Sequence, residues 1–285
     1  MNSRQYIAAG IIFIAAIIVP AFFLAATPQP KEPVIIVEEP RSRAPNPFDT
    51  VTLSAHAAYV FDVNAKKALY AHNAETQLPL ASLTKVMVAL VASEQAPSET
   101  FIAIKPDYFL NEGDSGFFVG ERWRLNDLLN FMLMTSSNDG ADAVASVVGA
   151  LNVDGKKESV DQAPKQKFIN TMNARAAELG LSQTYFLNET GLDKNTMTSG
   201  AYGSAHDMAL IFSYALQNAP EALEATRYTT FRFTSVDGFA HTAENTNDLA
   251  PLIPAFIAGK TGFTDLAGGN LVIAFEAGPG RPIVI

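Results

Sequence analysis

The chain contains no cysteine. Disulfide scaffolding, thiolate catalysis, iron–sulfur clusters and cysteine-ligated zinc are thereby excluded. It also lacks a surplus of positive charge. Its 29 Asp and Glu outnumber its 20 Lys and Arg, giving a net charge of −9, and a nucleic-acid partner is not expected. The four histidines, His56, His72, His206 and His241, show no HExxH or comparable ligand spacing, so they read as surface or core residues and no metal site is expected. Only 17% of residues are charged and 48% are hydrophobic. A chain of 285 residues with that composition can bury a sizeable core. It is neither a disulfide-stapled miniprotein, a coiled coil nor a disordered tail.

What is present begins with an uncharged run of 21 residues, Tyr6–Ala26. A bilayer-spanning helix needs about 20 apolar residues, and the run reads as an N-terminal membrane anchor within residues 1–26. The alternative is a cleaved signal segment, for which Val19-Pro20-Ala21 is a mediocre cleavage site. Lys and Arg flank both sides, so charge does not decide the orientation. Residues 27–49 read as a linker, because six of the 16 prolines fall between Pro28 and Pro47. Val34–Val37 inside it is expected as an edge strand. Residues 50–285 read as the folded unit.

Within that unit, Ala57–Asp62 and Lys67–His72 read as strands joined by a turn at Val63–Lys66. A helical period runs through Leu83–Ser93, again through Leu125–Gly149, and through Phe168–Leu179, which Gly180 ends. Ser204–Gln217 is a further helix. Strands return at Phe256–Gly262, Gly269–Glu276 and Arg281–Ile285, the last two joined by a Gly-Pro-Gly turn. Strands at both ends with helices between them predict one sheet built from both termini plus a helical insertion. No internal repeat is seen.

Three short motifs carry chemistry. In Ser82-Leu83-Thr84-Lys85, a helix starting at Ser82 places the hydroxyl and the amine one turn apart on one face. A serine hydroxyl needs a base, and a lysine of lowered pKa can supply it. The same four residues also fit a capping serine followed by an exposed lysine. Ser136-Ser137-Asn138 fits either a helix-ending turn or a hydroxyl and an amide turned into a cleft. Lys260-Thr261-Gly262 fits either an edge strand guarded by lysine or a carboxylate-binding strand. In the second case the glycine lets a substrate backbone approach.

The three motifs in this order resemble the S-x-x-K, S-D-N and K-T-G set of β-lactamases and penicillin-binding proteins, with Ser137 at the middle position of the second. Beyond them the chain resembles the D-alanyl-D-alanine carboxypeptidases, the low-molecular-mass penicillin-binding proteins of peptidase family S11. The resemblance runs through Leu78–Met87, Gly116–Val144, Met172-Asn173, Leu179-Gly180, Asn188–Leu192, Asn245–Asn247 and Gly259–Thr264. It departs at Ser137, where the family usually has glycine, and at Gly140, which interrupts the usual Asn-Asp-Ala run. The chain also ends at Ile285, where the family's sheet continues.

The resemblance implies a β-lactamase/transpeptidase-like α/β (α+β) fold, a central antiparallel sheet flanked by helices. It implies acyl transfer to Ser82 from the carbonyl between two terminal D-alanines of a peptidoglycan stem peptide. Lys85 would be the base and Ser136 the proton relay to the leaving amine. Asn138 would hold Lys85 and the substrate amide, and Lys260 and Thr261 would bind the terminal carboxylate. Gly262 would admit the substrate backbone, and the N–H groups of Ser82 and Phe263 would form an oxyanion hole. Lys85 is expected buried and neutral beside Ser82, its pKa lowered by other cations and desolvation, and Lys260 charged at the cleft mouth. No metal or cofactor is implied. β-Lactams would be covalent inhibitors, and the catalytic unit would sit on the extracytoplasmic side of a bacterial membrane. Competing readings are a D,D-endopeptidase acting on cross-links, a β-lactamase and a non-catalytic cell-wall scaffold. The β-lactamase reading is weakened because no Leu-Asn pair has Glu three residues before the Leu. The scaffold is disfavoured by three intact motifs.

Overall fold

The computed structural model describes residues 47–110, 112–113, 115–151 and 163–285. The apolar run Tyr6–Ala26 and the strand expected at Val34–Val37 lie outside the described residues. Two units are distinguished, Met1–Val51 and Thr52–Ile285. The described part of the first is one 3-10 turn, Pro47–Thr50. Among the described residues no helix is long and apolar enough to cross a membrane.

The second unit opens with β1 (Ala58–Asp62) and β2 (Lys67–His72), paired antiparallel. After the short β3 (Leu78–Pro79) and a 3-10 turn at Ala81–Leu83 comes α1, Thr84–Gln95. Next are β4 (Phe101–Ala103), β5 (Arg122–Arg124), α2 (Leu125–Thr135), α3 (Asn138–Val148) and α4 (Pro164–Glu178). The short strands β6 (Tyr185–Phe186) and β7 (Ala201–Gly203) precede α5 (Ala205–Asn218) and α6 (Pro220–Leu223). A hairpin, β8 (Thr230–Thr234) and β9 (Ala240–Glu244), leads to β10 (Phe256–Thr264), β11 (Gly268–Glu276) and β12 (Pro282–Val284).

The central sheet has the order β10-β11-β12-β1-β2, with every pairing antiparallel. Phe61 faces Val284 and Lys260 faces Val272. The sheet therefore joins the two ends of the unit, with the helices inserted between, as the strand positions predict. Helix α1 is apolar nearly all round, and Thr84 through Ala92 are all buried. A helix without a polar face belongs inside a core, and α1 is the axis on which the other helices pack.

The helical stretch expected at Leu125–Gly149 is two helices. Ser136 takes a left-handed φ of 62° and ends α2, its N–H bonded to Met132 O. Ser137 restarts the chain as N-cap of α3, its Oγ accepting from Gly140 N at 2.9 Å. Serine suits such a cap because its oxygen satisfies a free N–H of the first turn. Helix α4 closes on Gly180 (φ 73°), with Leu181 N–H bonded to Ala176 O and Gly180 N–H to Ala177 O. This is the glycine-ended cap that the sequence predicts there. Strands β3 to β9 are not predicted by the sequence. Strands β3 to β7 are runs of two or three residues, too short for alternation to register, while β8 and β9, of five residues each, are as long as β1 and are missed.

Two glycines with similar left-handed φ are expected to respond differently. A Cβ at Gly180 would meet nothing within 4 Å, so Gly180→Ala should cost only the conformational penalty, about 1–2 kcal/mol. A Cβ at Gly191 (φ 80°) would lie 1.9 Å from Ala81 O, so Gly191→Ala should cost more than about 3 kcal/mol. Urea unfolding of both variants checks the difference. Equal losses would show that the close approach at Gly191 is relieved at little cost.

Candidate active site

The turn carrying Ser82 is held from three sides. Leu80 N–H bonds to Ala201 O at 3.0 Å, Ala81 takes a left-handed φ of 47°, and Thr84 Oγ1 donates to Ala81 O at 2.7 Å. Gly191 packs directly on that same carbonyl. A non-glycine residue at positive φ persists only where its surroundings over-determine it, and such residues cluster at functional sites. Ser82 lies in the 3-10 turn, and the helix starts two residues later than expected, at Thr84. The one-turn relation to Lys85 survives that shift, with Lys85 Nζ 3.0 Å from Ser82 Oγ.

Lys85 is fully buried, at 0% exposure. Its amine donates to Ser82 Oγ, to Asn138 Oδ1 at 2.8 Å and to the Thr190 carbonyl at 2.7 Å. Burial lowers its pKa from 10.5 to about 7, opposed by the charge of Glu189. The expected depression and the desolvation expected to cause it are thus present, but the charge that acts on the amine is a carboxylate opposing the shift, in place of the expected cations. An amine of that pKa is substantially neutral at pH 7 and can take the proton of the hydroxyl beside it.

A second serine–lysine pair stands alongside. Lys260 Nζ donates to Ser136 Oγ at 2.9 Å and to Thr261 O at 2.6 Å. The expectation that Lys260 faces the cleft mouth is overturned. It is 1% exposed, and burial, then the charge of Lys85, push its pKa well below the ordinary value. The reason is strand alternation on β10: Lys260 shares its inward face with Ala258 and Gly262, while Thr261 and Phe263 take the other. Phe263 is 72% exposed. The Thr261 hydroxyl pairs with that of exposed Thr246 at 2.5 Å. Gly262 passes so close to the nucleophile turn that an added Cβ would lie 3.0 Å from Ser82 N.

Ser137 and Gly140, the two departures from the family pattern, occupy one space. The Ser137 hydroxyl caps Gly140 N and also pairs with Ser115 Oγ at 2.6 Å. A Cβ at Gly140 would stand 3.1 Å from that hydroxyl. Side-chain bulk is present at 137 and absent at 140, so the two departures are sterically coupled. Asn138 spans the gap, its Oδ1 on Lys85 and its Nδ2 donating to Glu112 O at 2.6 Å.

Ser82, Lys85 and Asn138 are therefore brought together through one amine, and Ser136 and Lys260 through another. Sequence reasoning gave no role to the Thr190 carbonyl, Glu189 or Thr246. Asn188–Leu192 and Asn245–Asn247 were signalled only as stretches of resemblance. Beside the site runs a groove of about 680 Å3, lined among others by Glu112, Glu189, Thr190, Asp193, Phe263 and Asp265. Of the histidines, His241 is buried against Glu121 at 2.9 Å. Glu75, His206 and Asp207 bring ligand-type atoms within 4.8 Å of one another. Asp207, however, accepts from Gln183 N and Thr184 Oγ1, both at 2.9 Å, which is a structural role at the start of α5.

Comparison with known proteins decides the family. The sequence pattern of peptidase S11, D-alanyl-D-alanine carboxypeptidase, matches residues 41–284. The chain belongs to this family. It is 31% identical over 227 residues to the D-alanyl-D-alanine carboxypeptidase DacB2 of Mycobacterium tuberculosis, covering 79% of this chain and 72% of that protein. It is 30% identical to the D-alanyl-D-alanine carboxypeptidase DacF of Bacillus subtilis, covering 81% of this chain but only 56% of the relative. Among solved structures, a D-alanyl-D-alanine carboxypeptidase from Mycobacterium tuberculosis H37Rv superposes with a TM-score of 0.71 at 28% identity, covering 86% of this chain and 85% of that one. The α/β (α+β) fold is thus that of the penicillin-binding peptidases.

For a member of this family with an amine of pKa about 7 beside its serine, acylation should depend on the neutral amine. The rate of covalent labelling by a fluorescent penicillin should rise about tenfold per pH unit below 7 and level off above it. A rate independent of pH between about 5 and 8 would exclude Lys85 as the titrating base.

Proposed function

We propose that the chain is a serine-type D,D-carboxypeptidase that releases the terminal D-alanine of peptidoglycan stem peptides through an acyl-enzyme on Ser82. The observation that carries this reading is the buried Lys85 amine 3.0 Å from Ser82 Oγ. A hydroxyl becomes a nucleophile when a neutral base stands within hydrogen-bond reach.

Neutral Lys85 takes the Ser82 proton as Oγ attacks the carbonyl between the two D-alanines. The oxyanion forms against the backbone N–H groups of Ser82 and Phe263. As the C–N bond breaks, the Ser136 hydroxyl gives its proton to the leaving amine, and Lys260, on whose amine Ser136 sits, restores it. Before deacylation Lys85 gives up the proton it took and Lys260 regains one, both by exchange with solvent; water then attacks the ester, neutral Lys85 takes its proton, and that proton passes to Ser82 Oγ as the ester bond breaks. Asn138 holds the Lys85 amine in line and presents its amide to the substrate backbone, for which Gly262 leaves room. The free carboxylate is received by the Thr261 and Thr246 hydroxyls at the mouth, with the Lys260 amine behind them. A β-lactam acylates Ser82 by the same first step. The apolar run Tyr6–Ala26 would tether the unit on the extracytoplasmic side of the membrane, where the substrate lies.

Ser82→Ala should abolish both D-alanine release and covalent penicillin labelling without unfolding the protein, read by gel fluorescence and circular dichroism. Labelling retained on the alanine variant would refute the assignment. Preferential cleavage of a cross-linked D,D-peptide by the native protein would instead assign it as an endopeptidase.

The carboxylate contact has its own test. Thr261→Val should lower kcat/KM on a free-acid peptide about 10- to 150-fold, the value of a hydrogen bond to a charged group. On the C-terminally amidated peptide it should lower it little further. Equal losses on both substrates would show that Thr261 does not bind the carboxylate.

A further inference from the structure

The loop Asn188–Leu192 supplies the Thr190 carbonyl to Lys85, and the residue before it is an acid buried to 4% exposure. Burying a carboxylate is costly unless it is paired. The ion-pair partner of Glu189 is Lys165 of α4, at 3.6 Å from Nζ to Oε1. That amine is claimed more closely by Asp142 of α3, at 2.8 Å. One half-exposed lysine thus serves two buried carboxylates, and the Glu189 charge is only partly compensated. It stands next in the chain to a direct ligand of the Lys85 amine.

We infer that Glu189 is a positioning residue for acyl transfer, its partly neutralised carboxylate setting the proton affinity of Lys85 while its backbone fixes the Thr190 carbonyl on that amine. The inference rests on the reading of Lys85 as the base. The charged groups that act on Lys85 are Glu189 and, from β10, Lys260, while Lys165 of α4 and Asp142 of α3 face Glu189. Burial drives Lys85 toward the neutral form, and Glu189 is the acid that acts against it. Too little proton affinity makes a weak base, and too much leaves the amine protonated at neutral pH. Glu189 balances the two, and Lys165 keeps its buried carboxyl ionised against desolvation.

The signs of the two substitutions follow. Glu189→Gln removes a negative charge, so Lys85 should lose its proton more readily. Lys165→Met removes the cation that keeps a buried carboxyl ionised against desolvation, so Glu189 should take up a proton and its charge on Lys85 should be lost. The test is the pH profile of the second-order rate of acylation by a fluorescent penicillin, using the full chain. In Glu189→Gln the acidic limb should move to lower pH by about half a unit or more, with a several-fold lower plateau. In Lys165→Met it should move the same way, to lower pH. A merely structural role would lower the rate at every pH and leave the limb in place. An unmoved limb in folded Glu189→Gln overturns the inference. If that variant does not fold, an unmoved limb in Lys165→Met overturns it. Failure of the underlying reading looks different, because the native protein would then show no labelling at any pH, or labelling that survives Ser82→Ala.

Discussion

Everything in the site depends on one amine kept out of water. A protonated lysine has three N–H donors, and Lys85 finds three acceptors, at Ser82, Asn138 and Thr190. These contacts do not fully offset desolvation, and the pKa falls to about 7. On losing a proton the amine keeps two donors and gains a lone pair. Asn138 Oδ1 and the Thr190 carbonyl can only accept, so they hold the two remaining N–H groups, and the lone pair is left for the Ser82 hydroxyl. The geometry that satisfies the charged amine therefore also orients the neutral one.

The fold reads as a means of assembling that arrangement. Helix α1 is enclosed on all sides, which is what desolvates Lys85. The break between α2 and α3 turns Ser136 one way and Asn138 the other, at the cost of a left-handed serine. The loop at Asn188–Leu192 approaches the nucleophile turn so closely that only glycine fits at position 191. Strand β10 closes the remaining side, with Lys260 inward and Thr261 outward. Parts drawn from residues 82 to 261 meet because the sheet ties the end of the unit back to its beginning.

Much of this was legible in the sequence. The strands at both ends, the helix after Ser82 and the glycine cap of α4 follow from period and turn chemistry, since long regular elements leave strong patterns. Motif order carried the site residues. The burial of Lys260 was not legible, because the motif names a lysine but not the face of the strand it takes. Thr190 contributes through its backbone carbonyl, which no side-chain motif can signal. Thr246 follows the β8–β9 hairpin, which the sequence reading does not include. The exchange of bulk between Ser137 and Gly140 appeared in the sequence as two unrelated departures and makes sense only when both are seen to fill one space.

The central claim is that the Lys85 amine, by burial, changes protonation near neutrality in the resting protein. The direct measurement is a carbon-13 NMR titration of protein labelled at lysine Cε, with the Lys85 resonance assigned by its loss in Lys85→Arg. The account predicts a midpoint near 7, far below the ordinary 10.5. A Lys85 resonance that titrates near 10.5 with the other lysines would contradict it.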